Sequence, residues 1–170
     1  MTNAIVYSTQ TGNTELLAST IRDTLPKDSC KYFGKPSSEA LNADCIYVGF
    51  WTNKGTCDDE SASFLKTLDN KNIFLFGTAG FGESSEYFDK VIKNTKKNIK
   101  SSNNIIGSFM CQGKMPMSVR KRYEKMMSNP VKLPNLQELI KNFDKALEHP
   151  NDNDLEILKS KISEMENLNL

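Results

Sequence analysis

Short apolar runs alternate with amphipathic stretches of helix length over the first two thirds of this chain. Runs such as Ala4–Tyr7, Cys45–Gly49 and Ile105–Met110 have the length of strands, not of helices. Between the runs, apolar residues recur at helical spacing, as Leu17 and Ile21 do. Short strands that are apolar throughout are typical of a parallel sheet covered on both faces. The alternation therefore predicts a three-layer α/β sandwich.

The same pattern predicts five strands, with helices after the first, third and fourth. The strands are expected at residues 4–7, 30–33, 45–49, 72–77 and 105–110. The final third of the chain is a series of helical stripes separated by prolines. At 170 residues we expect a single domain spanning residues 1–170. Its core should cover about residues 1–115, followed by a helical C-terminal extension of about residues 116–170.

Charge and hydropathy exclude several classes of protein. Lysine plus arginine number 22 and aspartate plus glutamate 21, which leaves a formal charge of +1. This balance argues against a protein that coats nucleic acid or an anionic membrane. No apolar run approaches the ~18 residues that a membrane span needs, so no membrane insertion is expected.

Cysteine and histidine usage predicts a cytoplasmic protein without a metal site. The four cysteines, Cys30, Cys45, Cys57 and Cys111, are widely spaced and form no Cys-x-x-Cys pair. The N-terminus carries no basic flank and no long apolar stretch of the kind found in secretory signals. We therefore expect free thiols in a reducing compartment. With one histidine in the chain, a histidine-rich metal centre is excluded.

The most informative motif lies between the first strand and the first helix, in residues 8–14, which we call the phosphate loop. A glycine and small hydroxyl residues at the start of a helix can surround an anion with N–H and O–H groups. The motif is neither a Walker A loop nor Gly-x-Gly-x-x-Gly. Since it holds no lysine or arginine, hydroxyls and amides would have to bind the phosphate; a plain capped turn is the alternative. The residues expected to bind are Thr9, Gln10, Thr11, Gly12, Asn13 and Thr14.

This Thr-x-Thr-Gly-x-Thr pattern resembles the flavodoxin family, and the resemblance covers roughly residues 3–110. It implies FMN as the cofactor and a five-stranded parallel sheet of order 2-1-3-4-5. Two further loops fall where that family binds the flavin ring, at residues 50–56 and 78–88. The implied ring-binding residues are Phe50, Trp51, Thr52, Asn53, Gly55, Thr78, Ala79, Gly80, Phe81 and Gly82, with Cys111, Gln112 and Gly113 at the ring edge.

Within these loops, Trp51 is the candidate for stacking on the flavin, and a place at the sheet edge is the alternative. Phe81 is an equal candidate for an outer stacking ring and for a core residue. Tyr87 is expected to begin the buried face of the next helix. Cys111 is a candidate nucleophile, but no histidine lies near it in sequence to act as its base. No catalytic residue is therefore expected. A basic patch at Arg120–Arg122 is either a solvated helix face or a docking surface for an acidic partner or an anionic substrate.

The resemblance implies an FMN-binding electron-transfer protein that carries low-potential electrons between protein partners, a reductase and an acceptor enzyme. The chain is also similar to a narrower branch, the flavodoxin-like accessory proteins encoded beside bacterial bilirubin reductases. Two alternatives stay open. One is a flavin-dependent reductase or dehydrogenase that acts directly on a planar quinone- or tetrapyrrole-like substrate. The other is an interaction subunit that has lost FMN.

Overall fold

The computed structural model describes residues 1–82, 84–130 and 134–167. Strands and helices alternate along the chain, with a short 3₁₀ helix at Ser38–Asn42. The elements are β1 Asn3–Tyr7, α1 Asn13–Thr24, β2 Cys30–Gly34, β3 Cys45–Asn53, β4 Thr56–Cys57, α2 Asp59–Thr67, β5 Asn72–Ala79, α3 Ser85–Lys96, β6 Asn104–Gln112, α4 Met117–Met127, α5 Leu136–Ala146 and α6 Asp152–Asn167.

The main sheet is parallel, with the order β2-β1-β3-β5-β6. In terms of the five strands predicted from the sequence this is the order 2-1-3-4-5, so the flavodoxin-like fold is confirmed. β4 is an addition, which pairs antiparallel with the end of β3 through Thr52 and Cys57. The sequence pattern missed it because two polar-flanked residues carry no periodicity.

Three strands extend further than their apolar runs. β3 continues to Asn53, β5 to Ala79 and β6 to Gln112. Trp51, Thr78 and Cys111 are consecutive partners across these strands, so they lie in one row at the carboxyl edge of the sheet. Trp51 therefore stands on a strand, not on a loop after it, because ladder hydrogen bonds continue where the apolar pattern stops.

Two buried clusters fill the spaces on either side of the sheet. One holds Phe64 of α2 and Val91 of α3. The other holds Leu17 of α1 together with Leu158 and Ile162 of α6. The core thus extends past the boundary expected at residue 115, because the apolar stripe of α6 completes the layer that α1 begins.

The remaining helices, α4 and α5, lie in the chain segment between β6 and α6. They contact each other through Arg120, which is paired with Asp144 and lies over the Phe143 ring. The two ends of the segment meet where the Lys114 N–H donates to the His149 carbonyl at 3.1 Å. Residues near the two ends of this segment are therefore hydrogen-bonded to each other.

None of the helices in the described ranges is both long and apolar enough to cross a bilayer. Within the same ranges, no group of three or more histidine, cysteine, aspartate or glutamate residues is placed to hold a metal ion.

Candidate functional site

A cavity of about 590 Å³ opens at the carboxyl edge of the sheet. Open parallel α/β sheets bind their ligands at this edge. The phosphate loop, the β3–β4 hairpin, the loop after β5 and the segment from Lys114 into α4 surround the cavity. The predicted residues that line it are Thr9, Gln10, Thr11, Asn13, Thr14, Trp51, Thr52, Gly55, Thr78, Gly80 and Phe81.

The phosphate loop presents unused backbone donors. Gly12 adopts φ +84°, and its N–H donates to Thr9 Oγ1 at 3.1 Å. No side chain caps the start of α1, whereas Asp58 caps α2 and Ser84 caps α3. The N–H groups of residues 9–11 and 13–15 donate to no other residue in the described part of the chain. Such a set of free donors at a helix N-terminus is suited to an anion.

Three side chains of the loop donate hydrogen bonds within the chain. Thr11 Oγ1 and Asn13 Nδ2 donate to the Lys114 carbonyl, at 3.2 and 2.9 Å. Thr14 Oγ1 donates to the Phe50 carbonyl at 3.4 Å. These three side chains fasten the loop to neighbouring segments, which leaves the free backbone amides and the Thr9 and Gln10 side chains as donors for a ligand.

Aromatic rings border the other half of the cavity. Trp51 lies at the end of β3, and Phe81, which is 38% exposed, lies on the loop after β5. Tyr87 of α3 also lines the cavity, although the sequence suggested only a buried helix face for it. Gly82 gives Tyr87 its place, because a Cβ at Gly82 would lie 2.3 Å from Tyr87 Cδ1.

The loop after β5 is held from outside the sheet. The Gly80 carbonyl accepts hydrogen bonds from Gln112 Nε2 at 3.1 Å and from Asn142 Nδ2 at 2.9 Å. Gln112 Nε2 also donates to Asn142 Oδ1 at 3.1 Å. Gln112 does not line the cavity itself. It positions the loop after β5 by its hydrogen bond to the Gly80 carbonyl.

Several other predicted residues lie away from the cavity. Phe50 is fully buried in the core, because neighbours on a strand face opposite sides and Trp51 takes the outer one. Cys111 and Gly82 border a second cavity of about 600 Å³ beside β6, between α3 and α6. The predicted residues that do not line the first cavity are Gly12, Phe50, Asn53, Ala79, Gly82, Cys111, Gln112 and Gly113.

Comparison with known proteins identifies the family. The family model of the flavodoxin domain matches residues 4–163. The chain belongs to the flavodoxin family. Its relatives include two flavodoxin-like domain-containing proteins named BilS. The one from Clostridium symbiosum is 37% identical over 172 residues, and the one from Clostridioides difficile is 30% identical over 159 residues. Each alignment covers 91% of this chain and 90% of the relative.

Solved flavodoxins share the architecture at low sequence identity. Oxidised Flavodoxin 2 from Bacillus cereus aligns with a TM-score of 0.57 and 14% identity, over 98% of this chain and 99% of its own. A Lactobacillus acidophilus flavoprotein in complex with FMN aligns with a TM-score of 0.50 and 13% identity, over 72% of this chain and 98% of its own. At these identities the alignments establish the fold.

FMN is the cofactor of this flavodoxin domain, and the residues present fit it. The free amides of the phosphate loop suit the phosphate, and Trp51, Phe81 and Tyr87 border the space for a flat ring. Thr52 Oγ1 donates to the Thr78 carbonyl at 2.8 Å, which joins the two strand ends beneath that space. The donor set and the aromatic set thus occupy opposite parts of one cavity.

Three cations line the cavity of this flavodoxin, and none of them comes from the phosphate loop. They are Lys54 on the hairpin turn, Lys114 after β6 and Arg122 on α4. No aspartate or glutamate lines it among the residues described. The expected basic patch on α4 is therefore divided, since Arg120 pairs with Glu124 and Asp144 while Arg122 faces the cavity.

The thiols are poor nucleophiles. Cys111 is 4% exposed, and burial raises its pKa far above the ordinary thiol value. Burial likewise raises the pKa of Cys57, and that of Cys45 to about 12. These thiols stay protonated at neutral pH, which agrees with the expectation that no cysteine is catalytic.

Proposed function

We propose that this flavodoxin is an FMN-dependent electron carrier that passes electrons between protein partners, a reductase and an acceptor enzyme. One observation carries the proposal. The cavity offers amides for a phosphate and aromatic rings for a flavin, whereas no histidine, cysteine or carboxylate lines it in the described residues. Outer-sphere electron transfer needs no acid or base from the chain.

In this role the bound FMN supplies the redox chemistry, and the chain binds and orients it. The amides of residues 9–11 and 13–15 hold the phosphate, and Trp51 and Tyr87 pack against the ring. Asn142 and Gln112 fix the Gly80 carbonyl and hence the shape of the ring pocket. The four free thiols suit a carrier in the reducing cytoplasm.

A bilirubin reductase is the acceptor to test first, because the chain is similar to the accessory flavodoxins of such enzymes. The family resemblance also implies electrons of low potential, and this stays a prediction. Lys54, Lys114 and Arg122 line the cavity, so the charged side chains among its described lining residues are cationic.

The test is FMN binding followed by electron delivery. Apoprotein is titrated with FMN while Trp51 fluorescence is recorded, and tight quenching is expected. The holoprotein is then reduced anaerobically and mixed with a bilirubin reductase and its substrate. We expect flavin reoxidation that requires both the acceptor enzyme and its substrate. Failure of the apoprotein to bind FMN would overturn the proposal.

A direct reductase is the second candidate, and one observation favours it. Met115 and Val119 give the cavity an apolar wall beyond the phosphate loop, on a segment that could cover a planar substrate. Steady turnover of a small quinone with NADH, by the isolated holoprotein, would establish this activity. A carrier shows no such turnover until a separate reductase is added.

A further inference from the structure

Three cations converge on the cofactor cavity from segments that are distant in sequence. Lys54 occupies the turn of the β3–β4 hairpin at φ +50°, Lys114 follows β6, and Arg122 is on α4. A solvated basic face would lie on one element. Cations that reach one cavity from three separate segments instead indicate that the cavity binds an anionic ligand.

These cations are not used elsewhere in the described parts of the chain. Lys54, Lys114 and Arg122 form no ion pair there, whereas Arg120 on the same helix is paired with two carboxylates. The Arg122 guanidinium carbon lies 5.9 Å from the centre of the Tyr123 ring, next to the cavity. The three side chains are exposed, and no carboxylate among the described lining residues neutralises them. Their charge therefore acts, weakened by solvent screening, on whatever the cavity holds.

We infer that Lys54, Lys114 and Arg122 form a cationic rim that stabilises negative charge on bound FMN, and so raises its midpoint potential. This inference rests on the proposed function, since it requires FMN in the cavity. The phosphate is negative in every redox state. Uptake of two electrons and one proton from an external electron donor adds one further negative charge to the ring. A positive rim therefore strengthens binding of FMN and strengthens binding of its reduced form still more.

The experiment compares charge-neutral variants of the rim with a matched variant outside it. Arg122→Gln and Lys54→Gln each remove one rim charge, and the double variant removes two. Lys121→Gln removes an equal charge from the exposed part of α4 that does not line the cavity. The total charge of each single variant is the same, so differences between them report position.

Two readouts are measured for each protein. FMN and riboflavin are titrated into apoprotein by Trp51 quenching, at low and at high salt. The midpoint potential of the holoprotein is measured in an optically transparent electrode cell. For Arg122→Gln we expect FMN affinity to fall about three- to tenfold, with a smaller loss for riboflavin. We expect the affinity ratio of reduced over oxidised FMN to fall by a similar factor, where tenfold corresponds to about 30 mV for two electrons.

The outcomes separate this inference from the proposed function. If the unmodified protein fails to bind FMN, both are overturned. If it binds FMN but Arg122→Gln, Lys54→Gln and the double variant all behave like Lys121→Gln, the rim is overturned and the cofactor assignment stands. A double variant that lowers both the FMN affinity and the potential more than either single one supports the rim.

Discussion

Asn13 Nδ2 donates to the Lys114 carbonyl at 2.9 Å, across 101 residues of sequence. This contact joins the phosphate loop to the segment that carries α4. The loop and the inserted helices therefore form one structural unit around the cavity, and a change on either side should reach the other.

Asn13→Ala tests this coupling. It leaves Thr11 as the remaining side-chain donor to that carbonyl, and a lost hydrogen bond of this kind is worth about 1 kcal/mol. We expect FMN affinity to fall roughly fivefold, measured by flavin fluorescence titration. Asn104→Ala, which removes a hydrogen bond to Asn72 at the amino ends of β5 and β6, serves as the control because the cavity lies at the carboxyl ends. Equal FMN affinity in both variants would contradict the coupling.

Alanine substitutions at Gly12 and Gly55 can be compared to test whether residues 8–14 bind the phosphate of FMN. Their φ angles are +84° and +79°, and an added Cβ would meet nothing within 4 Å at either position. Alanine at each therefore introduces similar backbone strain, of order 1 kcal/mol. We expect Gly12→Ala to weaken FMN more than riboflavin, because it distorts the phosphate loop. Gly55→Ala should weaken both ligands alike, and the reverse pattern would reject the assignment.

Trp51→Ala should weaken flavin binding and shift the midpoint potential. The substitution removes an indole that borders the cavity at the edge of the sheet, and aromatic stacking contributes about 0.5–1.5 kcal/mol beyond burial. Trp51→Phe retains a flat ring and should recover most of the affinity. Binding is followed by flavin absorbance, since the variants lack the tryptophan signal. Unchanged flavin affinity and midpoint potential in Trp51→Ala would show that Trp51 does not stack on the flavin ring.

Ile162 and Ile157 test whether α6 belongs to the core. Ile162 is fully buried against α1, while Ile157 on the same helix is 45% exposed. Truncating a buried isoleucine to alanine costs about 2–5 kcal/mol. We expect Ile162→Ala to lower the unfolding midpoint in urea strongly and Ile157→Ala to change it little. Similar small effects would place α6 outside the core.

The cysteines should differ in reactivity by burial. Burial raises the pKa of both thiols, but Cys30 is half-buried, whereas Cys111 is 4% exposed and its pKa lies far above the ordinary thiol value. Because the thiolate is the reactive form, a raised pKa leaves little nucleophile until the pH is high. At pH 7.5 we expect iodoacetamide to label Cys30 of the native protein first and to leave Cys111 unmodified. Mass spectrometry of tryptic peptides provides the measurement, and rapid labelling of Cys111 would reopen a catalytic thiol.

The sequence predicted the strand order and the position of the phosphate loop, because apolar periodicity and the place of Gly12 are local signals. It did not predict that Arg122 and Tyr87 line the cavity. Helical spacing shows which side of a helix is covered, but not which part of the fold covers it. Phe50 and Trp51 were both assigned to the ring, and only the pleat of β3 separates a core residue from a cavity residue.

The hydrogen bond from Lys114 N–H to the His149 carbonyl brings the two ends of a long excursion within 3.1 Å. A segment whose ends already touch can change in length with little displacement of the strand and helix on either side of it. The hydrogen bond between Lys114 and His149 thus marks a position where the chain between β6 and α6 can vary. Changes within α4 and α5 would then alter the surface around the cavity, and hence the surface that a partner meets, while the sheet beneath stays constant.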